Sequence, residues 1–124
     1  MAQHNDTGKT GELLARRHLE EHGYAILKTN WKLGKYEVDI IAYKEGLIVF
    51  VEVKTRSHLD HGNPEDFVDR TKQRAYIRMA NKYVIDNRRP EEVRFDIIAV
   101  DLSSTGSRIT HIKDAFSPVG QYLQ

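Results

Sequence analysis

Asp39, Glu52 and Lys54 are charged residues inside two otherwise apolar runs, Tyr36-Glu37-Val38-Asp39-Ile40-Ile41-Ala42 and Leu47-Ile48-Val49-Phe50-Val51-Glu52-Val53-Lys54. Runs this rich in Val and Ile read as strands of a buried sheet. A charge placed there is costly unless it is paired or binds a metal. Side chains alternate between faces along a strand. Glu37, Asp39 and Ile41 are therefore expected on one face of the first run, with Val38, Ile40 and Ala42 on the other. In the second run Phe50, Glu52 and Lys54 share a face. Lys44-Glu45-Gly46 is a tight hairpin, which makes the two strands neighbours and sets Asp39 close to Glu52, with Lys54 nearby. Two carboxylates held together without a cation repel, and one must stay protonated. Hard oxygen donors at that spacing suit Mg²⁺ or Mn²⁺. A lysine beside a metal-bound water can orient it or help it lose a proton. The plainer alternative is a same-face ion pair of Glu52 and Lys54 on a solvated strand.

The elements that must hold these residues follow from pattern. A first helix is expected over Thr7–His22, stopped by Gly23. Its inward face carries Ala15, His18, Leu19 and His22, with Glu12 at the edge. A strand Tyr24–Trp31, a turn Lys32–Lys35 and the strand Tyr36–Tyr43 come next, then the hairpin and the strand Leu47–Lys54. Thr55–Asp69 is polar, contains Gly62 and Pro64, and reads as a loop long enough to suggest a function. A second helix is expected over Arg70–Asn87 with Asp69 as N-cap. Ala75, Tyr76, Met79, Ala80, Tyr83 and Val84 mark its inward face at helical spacing. Arg70, Arg74, Arg78 and Lys82 lie roughly opposite, whereas Lys72 falls inside the apolar arc. One acid, Glu12, and one lysine, Lys72, are thus aimed from two helices toward the sheet. A strand Val93–Asp101, a turn at Ser103–Gly106 and an edge strand Arg108–Lys113 complete the chain. The order α-β-β-β-α-β, with an extra β, describes one small α/β domain with a mixed sheet flanked by helices.

The 124 residues fit one domain, residues 1–124, with its core over about 8–101. The absence of cysteine excludes disulfides and thiolate metal sites. No apolar run is long enough to span a membrane, and the first six residues lack the apolar stretch of a signal peptide, so a cytoplasmic location is expected. Net charge is only +1, yet seven basic residues stand against one acid between Arg70 and Arg89. Such a local face can serve as a phosphate footprint, although helix surfaces are also basic for solubility. His18 and His22, four apart on a helix, form a two-member metal pair without an obvious third ligand, and edge packing accounts for them better. His58 and His61 fall in the long loop. Trp31 and Tyr36 flank the turn before the acidic strand and suit either base stacking or core packing. There is no phosphate-binding glycine loop.

Asp39, a twelve-residue gap and Glu52-Val53-Lys54 resemble the PD-(D/E)XK signature of restriction-endonuclease-like nucleases, whose core has the same element order. More narrowly, the chain resembles the YraN family. The matching residues are Gly8, Gly11-Glu12, Ala15, Leu19, Gly23-Tyr24, Asn30, Glu37-Val38-Asp39, Phe50 through Lys54, Arg56, Gly62, Lys72 and Arg94-Phe95-Asp96. Tyr36 replaces the glycine usual before Glu37, which narrows the approach to the site. Val38 stands where the signature's proline would be. The resemblance implies a restriction-endonuclease-like three-layer core. It implies Asp39, Glu52 and the Val53 carbonyl as ligands of Mg²⁺ or Mn²⁺, Glu12 as an auxiliary acid, Lys54 on the attacking water and Lys72 on the scissile phosphate. The chemistry implied is metal-assisted phosphodiester hydrolysis. Arg56, Arg70, Arg74, Arg78 and Lys82 would hold the phosphate backbone, of DNA by preference. A twofold dimer is expected by analogy with nucleases acting on paired strands. Two other functions stay open: a nucleic-acid-binding or assembly protein that keeps the fold without cutting, and a structural domain with a buried ion cluster.

Overall fold

The computed structural model describes residues 2–57 and 68–118. Helix α1 (Ala2–Glu21) leads into strands β1 (Ala25–Leu33), β2 (Tyr36–Lys44) and β3 (Leu47–Ser57); helix α2 (Arg70–Asp86) and strands β4 (Glu92–Ser103) and β5 (Gly106–Phe116) follow. The strands form one sheet in the order β1-β2-β3-β4-β5. Pairing is antiparallel except between β3 and β4, which run parallel. The parallel pair needs a long crossover, and α2 lies within it. Among the described residues no helix is long and apolar enough to cross a membrane.

The predicted order is observed, with shifted ends. α1 begins at Ala2 rather than Thr7, because residues 2–6 contain no proline or glycine to stop it. Its end is as expected: Gly23 takes φ +89°, and the Tyr24 N–H reaches the Leu19 carbonyl at 2.9 Å. Glu45 and Gly46 turn the β2–β3 hairpin, both at positive φ. β3 runs three pairs further than expected, with Thr55, Arg56 and Ser57 pairing Val100, Asp101 and Leu102 of β4. The expected loop therefore starts later; its His58, His61, Gly62 and Pro64 lie outside the described residues. Asp69 caps α2 by accepting from the Lys72 N–H at 2.9 Å.

Each face of the sheet carries its own core. α1 covers Ile40, Ala42, Val49, Val51, Ile98 and Val100 with Ala15 and Leu19. It approaches closely because Gly11 has no side chain: a Cβ there would lie 1.8 Å from Thr55 Oγ1. α2 covers Val38, Ile41, Ile48, Phe50, Phe95 and Ile97 with Tyr76, Met79, Ala80 and Tyr83. Ile77 joins that buried face, while the expected Val84 is only half-buried.

One expectation about β2 is corrected. Val38 lies in the α2-side core with Ile41, whereas Ile40 lies in the α1-side core. Strict alternation therefore fails around Asp39. The neighbouring strand is irregular at the same level. Between the pairs Thr29↔Ile40 and Trp31↔Val38, Asn30 adopts a left-handed φ of 51°, a conformation asparagine tolerates. On its other side the β2–β3 ladder ends at Ile40↔Val51. Asp39 thus sits where the sheet parts.

Candidate metal centre

The site begins at that parting. Beyond the Ile40↔Val51 pair, the Val53 N–H turns to the Asp39 carboxylate and donates to Oδ2 at 2.7 Å. A side chain thereby replaces a strand carbonyl as acceptor, and Asp39 is held against β3. Burial, reinforced by the adjacent Glu52 carboxylate, pushes the Asp39 acid up to about 8; the Val53 N–H works against this rise. Asp39 thus holds its proton at neutral pH beside Glu52, as expected of two crowded carboxylates.

Glu52 is buried at 6 % exposure; it shares a side-chain hydrogen bond with Asp39, and α2 supplies two further donors. Lys72 Nζ donates to Glu52 Oε2 at 2.5 Å. The Tyr76 hydroxyl donates to Glu52 Oε1. Lys72 and Tyr76 are one helical turn apart, so they share a face. The placement of Lys72 toward the sheet is as read from the sequence. Tyr76 was read as an apolar inward residue, and its polar role was missed. The available signal was its spacing of four from Lys72 on the arc that meets Glu52.

Asp39, Glu52, Val53, Lys54 and Lys72 line one open cleft of about 500 Å³ together with Lys35, Tyr36 and Glu37. Tyr36 is half-buried, with the Lys35 ammonium 5.6 Å from its ring centre. Glu12 stands at the margin. Burial and the Glu37 and Glu52 charges raise its pKa, and Asn30 Nδ2 donates to its Oε1 at 3.2 Å. Among the described residues no three acid or histidine side chains converge tightly enough to cage an ion alone. A cation here would draw on Asp39, Glu52, the Val53 carbonyl and water, with Glu12 near enough for its charge to act on Asp39 and Glu52.

The proposed phosphate-binding residues divide. Arg70, Arg74, Arg78 and Lys82 are exposed on α2 as expected, with Lys82 3.1 Å from Asp86. Arg56 is placed differently. It is buried on β3 and makes two bonds, of 2.8 and 3.0 Å, to the Asp101 carboxylate of β4. The longer β3 strand is the reason, since it sets Arg56 beside Asp101 in register.

A second polar network lies at the far side of α1. Asp96, fully buried, accepts from Arg94 at 2.8 and 2.7 Å, from His111 Nε2 at 2.7 Å and from the Asp114 N–H at 3.0 Å. Burial alone would raise the Asp96 pKa, but these donors hold it below the usual carboxylate range. His111 Nδ1 lies 3.1 Å from His18 Nε2. Arg94 also donates to the Tyr24 hydroxyl at 2.8 Å. His18 therefore packs α1 against β5 as an edge residue, while His22 is exposed and not inward as expected. Trp31 packs edge-on against Tyr83, 5.5 Å between ring centres, and belongs to the core.

Residues 11–100 match the uncharacterised protein family UPF0102. A UPF0102 protein of Flavobacterium psychrophilum is 51% identical over 116 residues, covering 94% of this chain and 98% of the relative. One from Bacteroides thetaiotaomicron is 48% identical over 118 residues, covering 95% and 98%. One from Clostridium beijerinckii is 45% identical over 114 residues, covering 90% and 93%. The matched span contains Gly11, Glu12, the Asp39–Glu52–Lys54 set, Lys72 and Arg94-Phe95-Asp96, and on this likeness the chain belongs to the UPF0102, or YraN, family.

Proposed function

We propose that this protein is a Mg²⁺- or Mn²⁺-dependent nuclease of the PD-(D/E)XK, restriction-endonuclease-like kind, hydrolysing phosphodiester bonds of DNA, including branched or otherwise non-duplex forms. The observation that carries the reading is the convergence of Asp39, Glu52, Lys54 and Lys72 on one open cleft. The donor set fits a hard divalent cation: two adjacent carboxylates, one holding a proton that a cation would displace, and a strand carbonyl. When bound, such an ion polarises the phosphoryl oxygen and acidifies a bound water. Asp39, Glu52 and the Val53 carbonyl would hold it, with Glu12 as auxiliary acid. Lys54 projects from the strand that carries Glu52 and orients the attacking water. Lys72 is half-exposed at the cleft wall, and its ammonium can leave Glu52 for a phosphate oxygen. Arg70, Arg74, Arg78 and Lys82 offer a stripe for the phosphate backbone on the exposed face of α2. A cytoplasmic location and a twofold dimer accompany this reading.

A second reading, binding without cutting, is favoured by one observation: the Tyr36 ring lines the cleft together with the acid pair and takes up space there. A cleavage panel separates the two. Duplex, flap, four-way-junction and single-stranded DNA, with RNA beside them, are incubated with Mg²⁺ or Mn²⁺. Cleavage that disappears in D39A, E52A and K54A supports the nuclease. Binding that persists in D39A, with no cleavage by wild type, selects the second reading.

A further inference from the structure

We infer that Tyr76 is a positioning residue of the acid pair, fixing Glu52 so that a single oxygen, Oε2, is presented to the cleft. This rests on the metal-site reading above and goes beyond it, since the ligand set contains no tyrosine.

The two donors on Glu52 differ in kind. Lys72 is a long charged side chain that is 37% exposed and lines the cleft. It can swing away. Tyr76 is fully buried, and its phenol sits inside the core beneath α2. Its hydroxyl donates to Glu52 Oε1 from within that core. Its ring is wedged edge-on against Phe116, 6.2 Å between centres. The phenol therefore cannot follow Glu52 if that side chain turns. Instead it holds Oε1 on the core side and leaves Oε2 facing Lys72 and the cleft.

The chemical consequence is one-oxygen ligation by Glu52, with the second oxygen bonded to the protein. A carboxylate so held is pre-oriented, and partners of this type typically change metal affinity about 10–100-fold. Truncation to phenylalanine removes the hydroxyl and keeps the ring, so the core keeps its volume. It also frees Oε1, allowing Glu52 to rotate.

The test is Mn²⁺ binding by calorimetry, without nucleic acid, to wild type, Y76F, E52Q and F116L, with urea unfolding of each in chelator. F116L loosens the same packing without touching Glu52. The expected result is a loss of about 10–100-fold in Mn²⁺ affinity for Y76F, and an affinity within about twofold of wild type for F116L even where its stability falls. Y76F binding Mn²⁺ as tightly as wild type overturns the inference, and so does an equal loss in F116L. If E52Q binds as tightly as wild type, the metal site itself is misplaced and the role of Tyr76 falls with it, a result distinguishable from failure of Y76F alone.

Discussion

Replacing Asp39 with asparagine should stabilise the protein, and the gain should vanish in acid. The Asp39 carboxyl moves from an ordinary value of 3.8 to about 8 on folding. Between these values the folded chain binds a proton that the unfolded chain releases. Stability contributed by this group is therefore greatest in acid and falls as pH rises from about 4 to 8, by about 1.4 kcal/mol per pH unit. From pH 4 to 7 the linkage sums to about 4 kcal/mol; residual solvent at the cleft wall reduces the expected gain of D39N to about 2–4 kcal/mol. Asparagine keeps an oxygen for the Val53 N–H and brings a donor for Glu52, so the local bonds survive. The assay is urea unfolding of both proteins in chelator at pH 4.5, 6, 7 and 8.5. Equal midpoints at pH 7, or a gain that grows toward acid, would refute the argument. A divalent cation should reverse the order, since ligand binding stabilises only the form that binds it.

Gly11→Ala should cost about 1–3 kcal/mol by forcing α1 off β3, and the G11A/T55A double variant should recover part of it, because the nearest obstructing atom is Thr55 Oγ1; a thermal-denaturation cycle reads the coupling. Arg56→Ala should lose about 2 kcal/mol of stability by stranding the partly buried Asp101, while its affinity for nucleic acid at fixed salt stays unchanged. The His18 pKa is lowered by burial and by the His111 and His22 rings, so His18 is neutral in the fold and its protonation favours the unfolded chain. Wild type should therefore lose stability relative to H18Q as pH falls below 6.5, and parallel stability curves down to pH 5 would contradict this.

The helical and strand periods were enough to read the element order, the Asp69 cap, the Gly23 stop and the approach of Asp39 to Glu52. The identity of the residues at the site was legible because charge in a Val-rich strand has few physical explanations. What escaped was set by pairing between distant segments. Strand extension past Lys54 depended on β4 offering Asp101 to Arg56, and nothing local to Thr55–Ser57 announces it. The break in alternation at Asp39 coincides with the left-handed Asn30 on the adjacent strand. Tyr76 was legible as inward but not as a donor, because helical spacing records direction and leaves the partner unnamed. The Asp96 network joins residues from α1, β4 and β5, and histidine spacing along α1 alone could not reveal His111.

The placement of the Lys72 and Tyr76 donors to Glu52 on α2 has a consequence for the order in which the chain assembles. Asp39 and Glu52 meet through a short hairpin, a contact of low sequence separation that forms early and cheaply. While the hairpin is alone, water solvates both acids. α2 removes that water, and the same docking delivers Lys72 and Tyr76. Desolvation and its compensation therefore belong to one late step, and interactions absent from the transition state govern the unfolding rate. The acid-base chemistry of this pair should then be written into how fast the protein opens rather than how fast it folds, with α2 as the element that opens.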